Sequence, residues 1–235
     1  MKLLHLVRRR DGVSRQELGA HWRDPVASAI TSSRLVRDHV SGCVQNLTYT
    51  SEHRFSPTTH RFIDEWDAID EYWVPDDSLT ADGGWQRELA KVQEPVAERG
   101  RSVWLRAREV VLTGHDFVGE AVKVFIFIAP KPGITQQRFF EHWTNIHGPL
   151  WKVVRAGKDY EPTRRSVQNY LPREWNSDID AFGWYGLTEG WHRSLESMGL
   201  PFQSVEHDEI IVPDANKFTD RSKVCDALVR EHRVV

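Results

Sequence analysis

The residues Val122–Trp151, VKVFIFIAPKPGITQQRFFEHWTNIHGPLW, decide the predicted fold of this chain. Val124–Ile128 is a continuous run of β-branched and aromatic residues with the length of a buried strand. A turn follows at Pro130–Gly133, because proline and glycine interrupt regular structure. Thr135 is a suitable N-cap for a helix. The stretch therefore predicts a strand, a turn and a helix.

Phe139, Trp143 and Ile146 recur in that helix at a spacing that predicts one buried face. We expect Gly148-Pro149 to end the helix, because proline cannot donate a hydrogen bond into a continuing one. His147 would then stand at the helix end, at the edge of the apolar stripe, where its ring can face a cavity.

The same pattern occurs a second time near the N-terminus, where residues 3–22 read LLHLVRRRDGVSRQELGAHW. The matches, in chain order, are His21-Trp22 with His142-Trp143, Val44-Gln45-Asn46 with Val167-Gln168-Asn169, and Asp67-Ala68-Ile69 with Asp180-Ala181-Phe182. Three matches in the same order indicate an internal duplication.

Each predicted copy has the order βαββαβ. The first copy has predicted strands at Lys2–Val7, Cys43–Thr50, Ala68–Val74 and Val103–Thr113, and helices opened by Ser14 and at Val26–Arg37 and Trp85–Ala97. The second has predicted strands at Val122–Ala129, Ser166–Leu171, Phe182–Thr188 and Asp208–Val212, and helices at Thr135–Ile146, near Trp191–Met198 and at Ser222–Arg230.

At these residues the chain resembles the EthD family of the dimeric α+β barrel (ferredoxin-like) superfamily. The motif is Lys131-Pro132-Gly133-Ile134-Thr135, an aromatic-rich helix, His142-Trp143 and His147-Gly148-Pro149. In the first copy the motif is degraded, because Trp22-Arg23-Asp24-Pro25 leaves no room for a counterpart of His147-Gly148. Family members are usually single copies that pair into a barrel, so the resemblance implies that dimer fused into one chain.

We therefore predict an α+β fold of two ferredoxin-like βαββαβ units, residues 1–115 and 116–235, packed sheet to sheet as a fused, pseudo-dimeric α+β barrel. The space between the two sheets would be the cavity. Residues 114–119 are the predicted linker. The stretch 48–64 includes ten residues without a counterpart in the second copy, and it is either a lid or a longer hairpin; the hairpin is favoured.

Composition excludes several classes of protein. The net charge is −3 and the basic residues are dispersed, so no nucleic-acid partner is predicted. No apolar run approaches a membrane span, and Met1–Val7 holds too few apolar residues for a signal peptide. Cys43 and Cys225 cannot form a disulfide framework. We expect a cytoplasmic protein without a membrane partner, and a homodimer of fused units is possible.

The resemblance implies cofactor-free cyclases, dehydratases, other lyases and monooxygenases that act on aromatic or polyketide-like molecules. The ten tryptophans of the chain suit a cavity for flat ligands as well as a packed core. The catalytic candidates are His147, His142 and Asn169. His147 would act as base or acid near neutral pH; the alternative is a helix-terminal histidine that interacts with free carbonyl groups.

The repetition of His142 as His21 favours a structural role for both. The spacing of His142 and His147 does not converge on one ion in an α-helix, so no metal site is predicted. One side chain of each Gln-Asn pair should face the cavity, where it would orient a substrate oxygen or satisfy the backbone. The predicted substrate-binding residues are Phe140, Trp143, Trp151, Gln168, Trp184, Tyr185, His5 and Tyr72, the last as the counterpart of Tyr185.

The function predicted from these observations is a cofactor-independent lyase or cyclase that carries out elimination, cyclisation or C–C cleavage on an aromatic or polyketide-like molecule. One alternative is a cofactor-free monooxygenase acting on a phenol. Another is a small-molecule binding protein without turnover. Related barrels bind haem, so a haem-binding barrel is a further alternative.

Overall fold

The computed structural model describes residues 1–49, 61–63, 65–75, 84–114, 122–155, 165–176 and 182–235. The strands are β1 (Lys2–Val7), β2 (Gly42–Thr48), β3 (Arg61–Phe62), β4 (Ala68–Trp73), β5 (Val103–Thr113), β6 (Val122–Ile128), β7 (Arg165–Tyr170), β8 (Gly186–His192) and β9 (Cys225–Arg233). The helices are α1 (Arg15–His21), α2 (Ala27–Ser32), α3 (Arg34–Arg37), α4 (Gly84–Gln93), α5 (Gln136–His142), α6 (Gly148–Arg155), α7 (Leu195–Gly199) and α8 (Val212–Phe218). The predicted domain boundary, most of the predicted linker and most of the 48–64 stretch lie outside the described residues.

The chain forms two compact units. The first comprises Met1–Tyr49, Asp64–Ala107 and Val229–Val235, and the second comprises Thr50–Ile63 and Arg108–Leu228. Both units combine helices with a sheet, so the predicted mixture of α and β structure is confirmed. None of the helices in the described ranges is long and apolar enough to cross a membrane.

The strand pairing gives the order and direction of the strands in the sheet of each unit. In the first unit the strand order is β5, β1, β4, β2, followed by the last residues of β9, and the pairs are antiparallel. In the second unit the order is β5, β7, β8, β6, β9, β3, with β3 parallel to β9. The predicted strand Val103–Thr113 is confirmed, and its residues are divided between the two units at Ala107.

The strand registers give residue equivalences that the sequence comparison missed. Glu71 of β4 lies opposite Leu4 and Val44, and Glu189 of β8 lies opposite Phe125 and Val167. Glu71 therefore corresponds to Glu189. The predicted match of Asp67-Ala68-Ile69 with Asp180-Ala181-Phe182 is wrong, because β8 begins only at Gly186. The same register makes Gly190, rather than Tyr185, the counterpart of Tyr72.

A buried ion pair occurs at the same place in each sheet. In the first unit Glu71 pairs with the Lys2 ammonium and accepts a hydrogen bond of 2.9 Å from Asn46 Nδ2. The second unit repeats this arrangement with Glu189, Lys123 at 2.9 Å and Asn169 at 2.6 Å. All six side chains are buried. Because a buried charge is tolerated only when it is paired and hydrogen-bonded, each triad fixes three strands to one another.

Gly148-Pro149 does not end the motif helix, contrary to the prediction. A π-helical turn, Trp143–His147, follows α5 and leads directly into α6. Gly148 keeps right-handed helical angles, φ −56° and ψ −51°. Pro149 is the second residue of α6 and directly follows the π-helical turn. His147 therefore lies inside a continuous helical path.

The C-terminal predictions are also wrong. The predicted strand Asp208–Val212 is helical: a π-helical turn at His207–Ile211 continues into α8. The predicted helix Ser222–Arg230 is mostly β9, preceded by a short 3₁₀ turn at Arg221–Lys223. The apolar part of this segment, Ile210–Val212, is short and β-branched, and such a run does not distinguish a strand from a buried helix.

Asp70 is a buried carboxylic acid in the core of the first unit. Its Oδ2 accepts hydrogen bonds from Trp22 Nε1 at 2.8 Å and from the Tyr72 hydroxyl at 3.2 Å. Burial raises the pKa of Asp70 to about 7, although these two hydrogen bonds lower it in part. The folded chain thus keeps this proton at pH values where an unfolded aspartate has lost it.

We predict that Asp70 makes the chain less stable as the pH rises. An unfolded aspartate titrates near pH 4, so between about pH 4 and 7 unfolding releases a proton that the folded state retains. The free energy of unfolding should therefore fall across this window, and Asp70→Asn should remove that part of the slope. Urea unfolding at pH 4 to 7.5 measures it, with Asp38→Asn at an exposed carboxylate as the control. An unchanged slope in Asp70→Asn would contradict the assignment.

Candidate functional site

A cavity of about 140 Å³ lies within the second unit, between its sheet and its own helices. The sheet contributes alternate residues that share one face: Val124, Ile126, Ile128, Ser166, Gln168, Thr188, Gly190 and His192. The helical segments contribute, among others, Trp143, His147, Trp151, Phe202, His207, Ile211 and Phe218. This cavity lies between a sheet and its covering helices, whereas the sequence predicted one between two facing sheets.

The π-helical turn places His147 at the wall of this cavity. In a π-turn the amide of residue i+5 bonds to the carbonyl of residue i, and here the Gly148 N–H donates to the Trp143 carbonyl. Gln168 Nε2 donates to the same carbonyl at 3.1 Å. A Cβ at Gly148 would stand 3.3 Å from that carbonyl oxygen and 3.5 Å from Gln168 Nε2. The first unit has the equivalent bond, from Gln45 Nε2 to the Trp22 carbonyl at 2.8 Å, beside Ala27, so the sheet amide anchors the turn in both units.

Both histidines of the motif reach one carboxylate, that of Asp214 in α8. His147 Nδ1 lies 3.0 Å from Asp214 Oδ2, and His142 Nε2 lies 3.1 Å from both carboxylate oxygens. Lys217 Nζ donates to Oδ1 at 3.2 Å. Residues five apart do not share a face of an α-helix, but the π-turn between these two histidines brings them to the same side. The two histidines therefore contact the same partner, and that partner is a carboxylate.

The partners of His147 determine its tautomer. Asp214 can only accept a hydrogen bond when ionised, so Nδ1 carries the proton. The Trp151 indole can only donate, and its Nε1 lies 3.3 Å from His147 Nε2. Nε2 therefore presents a lone pair beside the cavity, and Trp151 covers it. A buried acceptor that fixes the imidazole in this way is what a positioned general base requires.

Burial and charge act in opposite directions on these groups. Burial lowers the pKa of His147, and it outweighs the hydrogen bond and the negative charge of Asp214, which raise it. Burial alone would raise the pKa of Asp214, but hydrogen bonds from His147, Lys217 and His142 together lower it. The pair is therefore a neutral imidazole held by an ionised carboxylate at neutral pH.

The structure brings together four of the predicted site residues. His147, Trp143, Trp151 and Gln168 line the cavity. His142 lies behind His147 and contacts Asp214, with 19% of its side chain exposed. His5 and Tyr72 belong to the first unit, where His5 stacks on Trp104.

The remaining predicted residues do not line the cavity. Asn169 faces the opposite side of the sheet and donates to Glu189. Phe140 stacks on Tyr170, Trp184 packs against Phe127, and Tyr185 packs edge-on against Phe139.

Sequence reasoning missed Asp214, His192 and His207. His192 ends β8 and lines the cavity, and so does His207, whose Nδ1 lies 3.0 Å from Asp208 Oδ1. Asp214 has the first-turn position of α8. The signal that identifies it is Pro213, which is common in the first turn of a helix, followed by an acidic residue. Predicting a strand at Asp208–Val212 hid that signal.

An apolar cavity of about 150 Å³ takes one benzene ring. The cavity formed by the described residues, at about 140 Å³, matches a single ring. Within the same residues no group of His, Cys, Asp and Glu is arranged to hold a metal ion.

Comparison with known proteins agrees with this fold and motif. Residues 131–222 match the EthD domain, and they are fewer than half of the 235 residues of the chain. They include the motif helix, the cavity sheet and Asp214. A search of curated proteins finds no match to the chain.

Several solved structures are similar over nearly the whole chain. An anthrone oxidase-like protein has 9% identity and a TM-score of 0.59, covering 99% of this chain and 92% of that one. A proposed monooxygenase from Lactobacillus acidophilus NCFM has 8% identity and a TM-score of 0.54, covering 100% and 93%. A dye-decolorizing peroxidase from Bacteroides thetaiotaomicron VPI-5482 has 10% identity and a TM-score of 0.55, covering 97% and 92%. At these identities the likeness shows the fold alone.

We predict that Asn169 stabilises the fold and leaves ligand binding unchanged. Asn169→Ala removes a hydrogen bond to the buried, charged Glu189, which should cost about 1.5–3 kcal/mol of unfolding free energy. Asn46→Ala removes the equivalent bond in the first unit and should cost a similar amount. Denaturant unfolding of both variants checks this, and a stable Asn169→Ala chain that loses function would instead make Asn169 part of the site.

We predict that the Asp214 carboxylate raises the basicity of His147. Removing its negative charge in Asp214→Asn should lower the pKa of His147 further below 6.5, because burial still disfavours the imidazolium. Histidine NMR titration measures the shift, with the His147 signal assigned by its loss in His147→Gln. Lys217→Met, which removes an exposed partner of Asp214, is the control and should shift it far less. A rise in the pKa of His147 in Asp214→Asn would contradict the coupling.

Proposed function

We propose that the chain is a small-molecule enzyme whose second unit uses His147 as a general base on an aromatic or polyketide-like compound. The observation that supports this most is the orientation of His147: Nδ1 is held by the buried Asp214 carboxylate, and Nε2 presents its lone pair to a largely apolar cavity. The EthD match over residues 131–222 and the names of the similar structures also favour an enzyme.

The first chemical step follows from this geometry. A substrate proton, from a C–H beside a carbonyl or from a phenol O–H, transfers to His147 Nε2. The electron pair of the broken bond stays on the substrate as an enolate or phenolate. Asp214, at 3.0 Å from Nδ1, stabilises the imidazolium that forms. The substrate must displace Trp151 from Nε2, and the freed indole N–H is then available to donate to the developing oxyanion.

The reaction proposed first is elimination, cyclisation or C–C cleavage. In each of these the proton accepted by His147 can return to the leaving group or the product, so the histidine ends in its starting state. Positioned acid–base groups of this kind typically contribute about 10²–10⁴-fold in rate. The apolar lining excludes water, which strengthens the electrostatic effect of Asp214.

A cofactor-free monooxygenase is the second candidate, and the names of the similar structures favour it. In that reaction the same deprotonation gives a phenolate that reacts with molecular oxygen. Strict dependence of turnover on oxygen separates it from a lyase or cyclase. A small-molecule binding protein is the alternative without turnover, and it predicts a retained ligand that is never converted.

We further propose that the two units are tandem copies of one EthD-like, ferredoxin-like βαββαβ unit. The identical strand registers, the repeated Lys–Glu–Asn triads and the two π-helical turns at Trp22–Val26 and Trp143–His147 support this. Val26 then takes the place of His147, so the first unit lacks the base.

We predict that His147→Gln lowers turnover by about 10²-fold or more while the melting temperature changes little. Glutamine keeps a polar side chain of similar size, but it cannot accept a proton at neutral pH. The substrate is first identified by mass spectrometry of ligand that purifies with the chain. Turnover of that compound is then measured with and without oxygen.

The matched control is His39→Gln, at an exposed histidine of the first unit. It should leave both turnover and melting temperature unchanged. Turnover of His147→Gln within about threefold of the unchanged chain, with intact folding, would remove His147 from the mechanism. If neither the variants nor the native chain convert the ligand, the alternative of a small-molecule binding protein without turnover is favoured.

A further inference from the structure

One register position holds a large side chain in the sheet of the first unit and no side chain in that of the second. In the first unit this position is Tyr72, opposite Leu3 and Cys43; in the second it is Gly190, opposite Val124 and Ser166. Tyr72 is completely buried, with its ring 5.6 Å from that of Trp85. Gly190 has no side chain and lies at the floor of the cavity. The first unit thus holds a phenol ring of its own at a position where the second has no side chain and borders the cavity.

The polar groups beside this position differ in a matching way. The Tyr72 hydroxyl donates to Asp70, two residues earlier on the same strand. The residue two positions before Gly190 is Thr188, which also lines the cavity. The cross-strand neighbour changes from Cys43 to Ser166, which is 7% exposed. Among the described residues, neither the Ser166 nor the Thr188 hydroxyl has a hydrogen-bond partner.

We propose that the floor of the cavity over Gly190 is a seat for one phenol-type ring of the ligand, whose oxygen is bound by the Thr188 and Ser166 hydroxyls. The ring would occupy the place that Tyr72 fills in the first unit, and Thr188 would replace the Asp70 acceptor. A cavity of about 140 Å³ has the volume for one aromatic ring. This inference rests on the proposed function in that it narrows the class of its substrate, from aromatic compounds in general to those with a single hydroxylated ring at this position.

The two unpartnered hydroxyls explain why the seat is selective. A phenol oxygen that leaves water for this cavity needs hydrogen-bond partners, and the Ser166 and Thr188 hydroxyls can supply them. An apolar ring of the same size gains only the contact with the apolar wall. Phenol should therefore bind more tightly than toluene.

The test is binding of phenol and toluene to the full chain by isothermal titration calorimetry, without any turnover. Gly190→Val should weaken both ligands by about tenfold or more, because the added side chain occupies the ring position. Gly100→Val, at an exposed glycine with open space around it, is the matched control and should change neither. Valine is well suited to a strand, so folding should persist; thermal melting checks it.

A second variant keeps the test decisive if Gly190→Val misfolds. Thr188→Val with Ser166→Ala retains the shape of the cavity and removes both hydroxyls. It should weaken phenol by about 3–10-fold and leave toluene unchanged. Equal losses for the two ligands, unchanged phenol binding in Gly190→Val, or no phenol binding to the native chain would each overturn the seat.

These outcomes are independent of the catalytic proposal. His147→Gln should still bind phenol, because the seat uses other residues. Phenol binding without any turnover would support the phenol site and contradict the proposed enzyme. Turnover without phenol binding would support the enzyme and contradict the phenol site.

Discussion

The candidate site depends on one carboxylate. Asp214 is buried, with 3% of its side chain exposed, and it receives hydrogen bonds from two histidines that lie on a different helical segment. Without the π-helical turn at Trp143–His147 these histidines would point in different directions. Without Asp214 only the Trp151 indole would hold the tautomer of His147, and burial would lower the pKa of the imidazole without an opposing carboxylate. The turn, the carboxylate and the base are therefore a single arrangement.

A comparison of the two sheets shows how one fold can give a packed core or a cavity. Both units have a Lys–Glu–Asn triad on one face and a tryptophan of the motif helix on the other. They differ where Tyr72 and Val26 of the first unit correspond to Gly190 and His147 of the second. A tyrosine and a valine fill the space above the first sheet, whereas a glycine and a histidine leave room for a ligand. At these two positions the second unit borders a cavity where the first is packed.

The sequence supports prediction of the parts that repeat locally. The strand and helix of the motif and the capping by Thr135 follow from spacing and from turn chemistry. His147 was selected for its place beside Gly148-Pro149 and its match to the family motif, and its role stays a proposal. The π-turn was not predictable. A Gly-Pro pair usually ends a helix, and nothing in the neighbouring sequence indicates that the helix continues through Gly148-Pro149. The role of Asp214 depends on a contact between residues 67 positions apart. Asn169 and Gln168 alternate on one strand, and only the pairing of that strand decides which of them faces the cavity.

The most direct test of the central claim is the tautomer of His147. Nitrogen-15 NMR distinguishes a protonated imidazole nitrogen from one with a lone pair, and His147→Gln assigns the signal. At a pH above the pKa of His147, the Asp214 contact predicts a proton on Nδ1 and a lone pair on Nε2. A proton on Nε2 would contradict this account, because the nitrogen that faces the cavity would then be unable to accept a proton from a ligand.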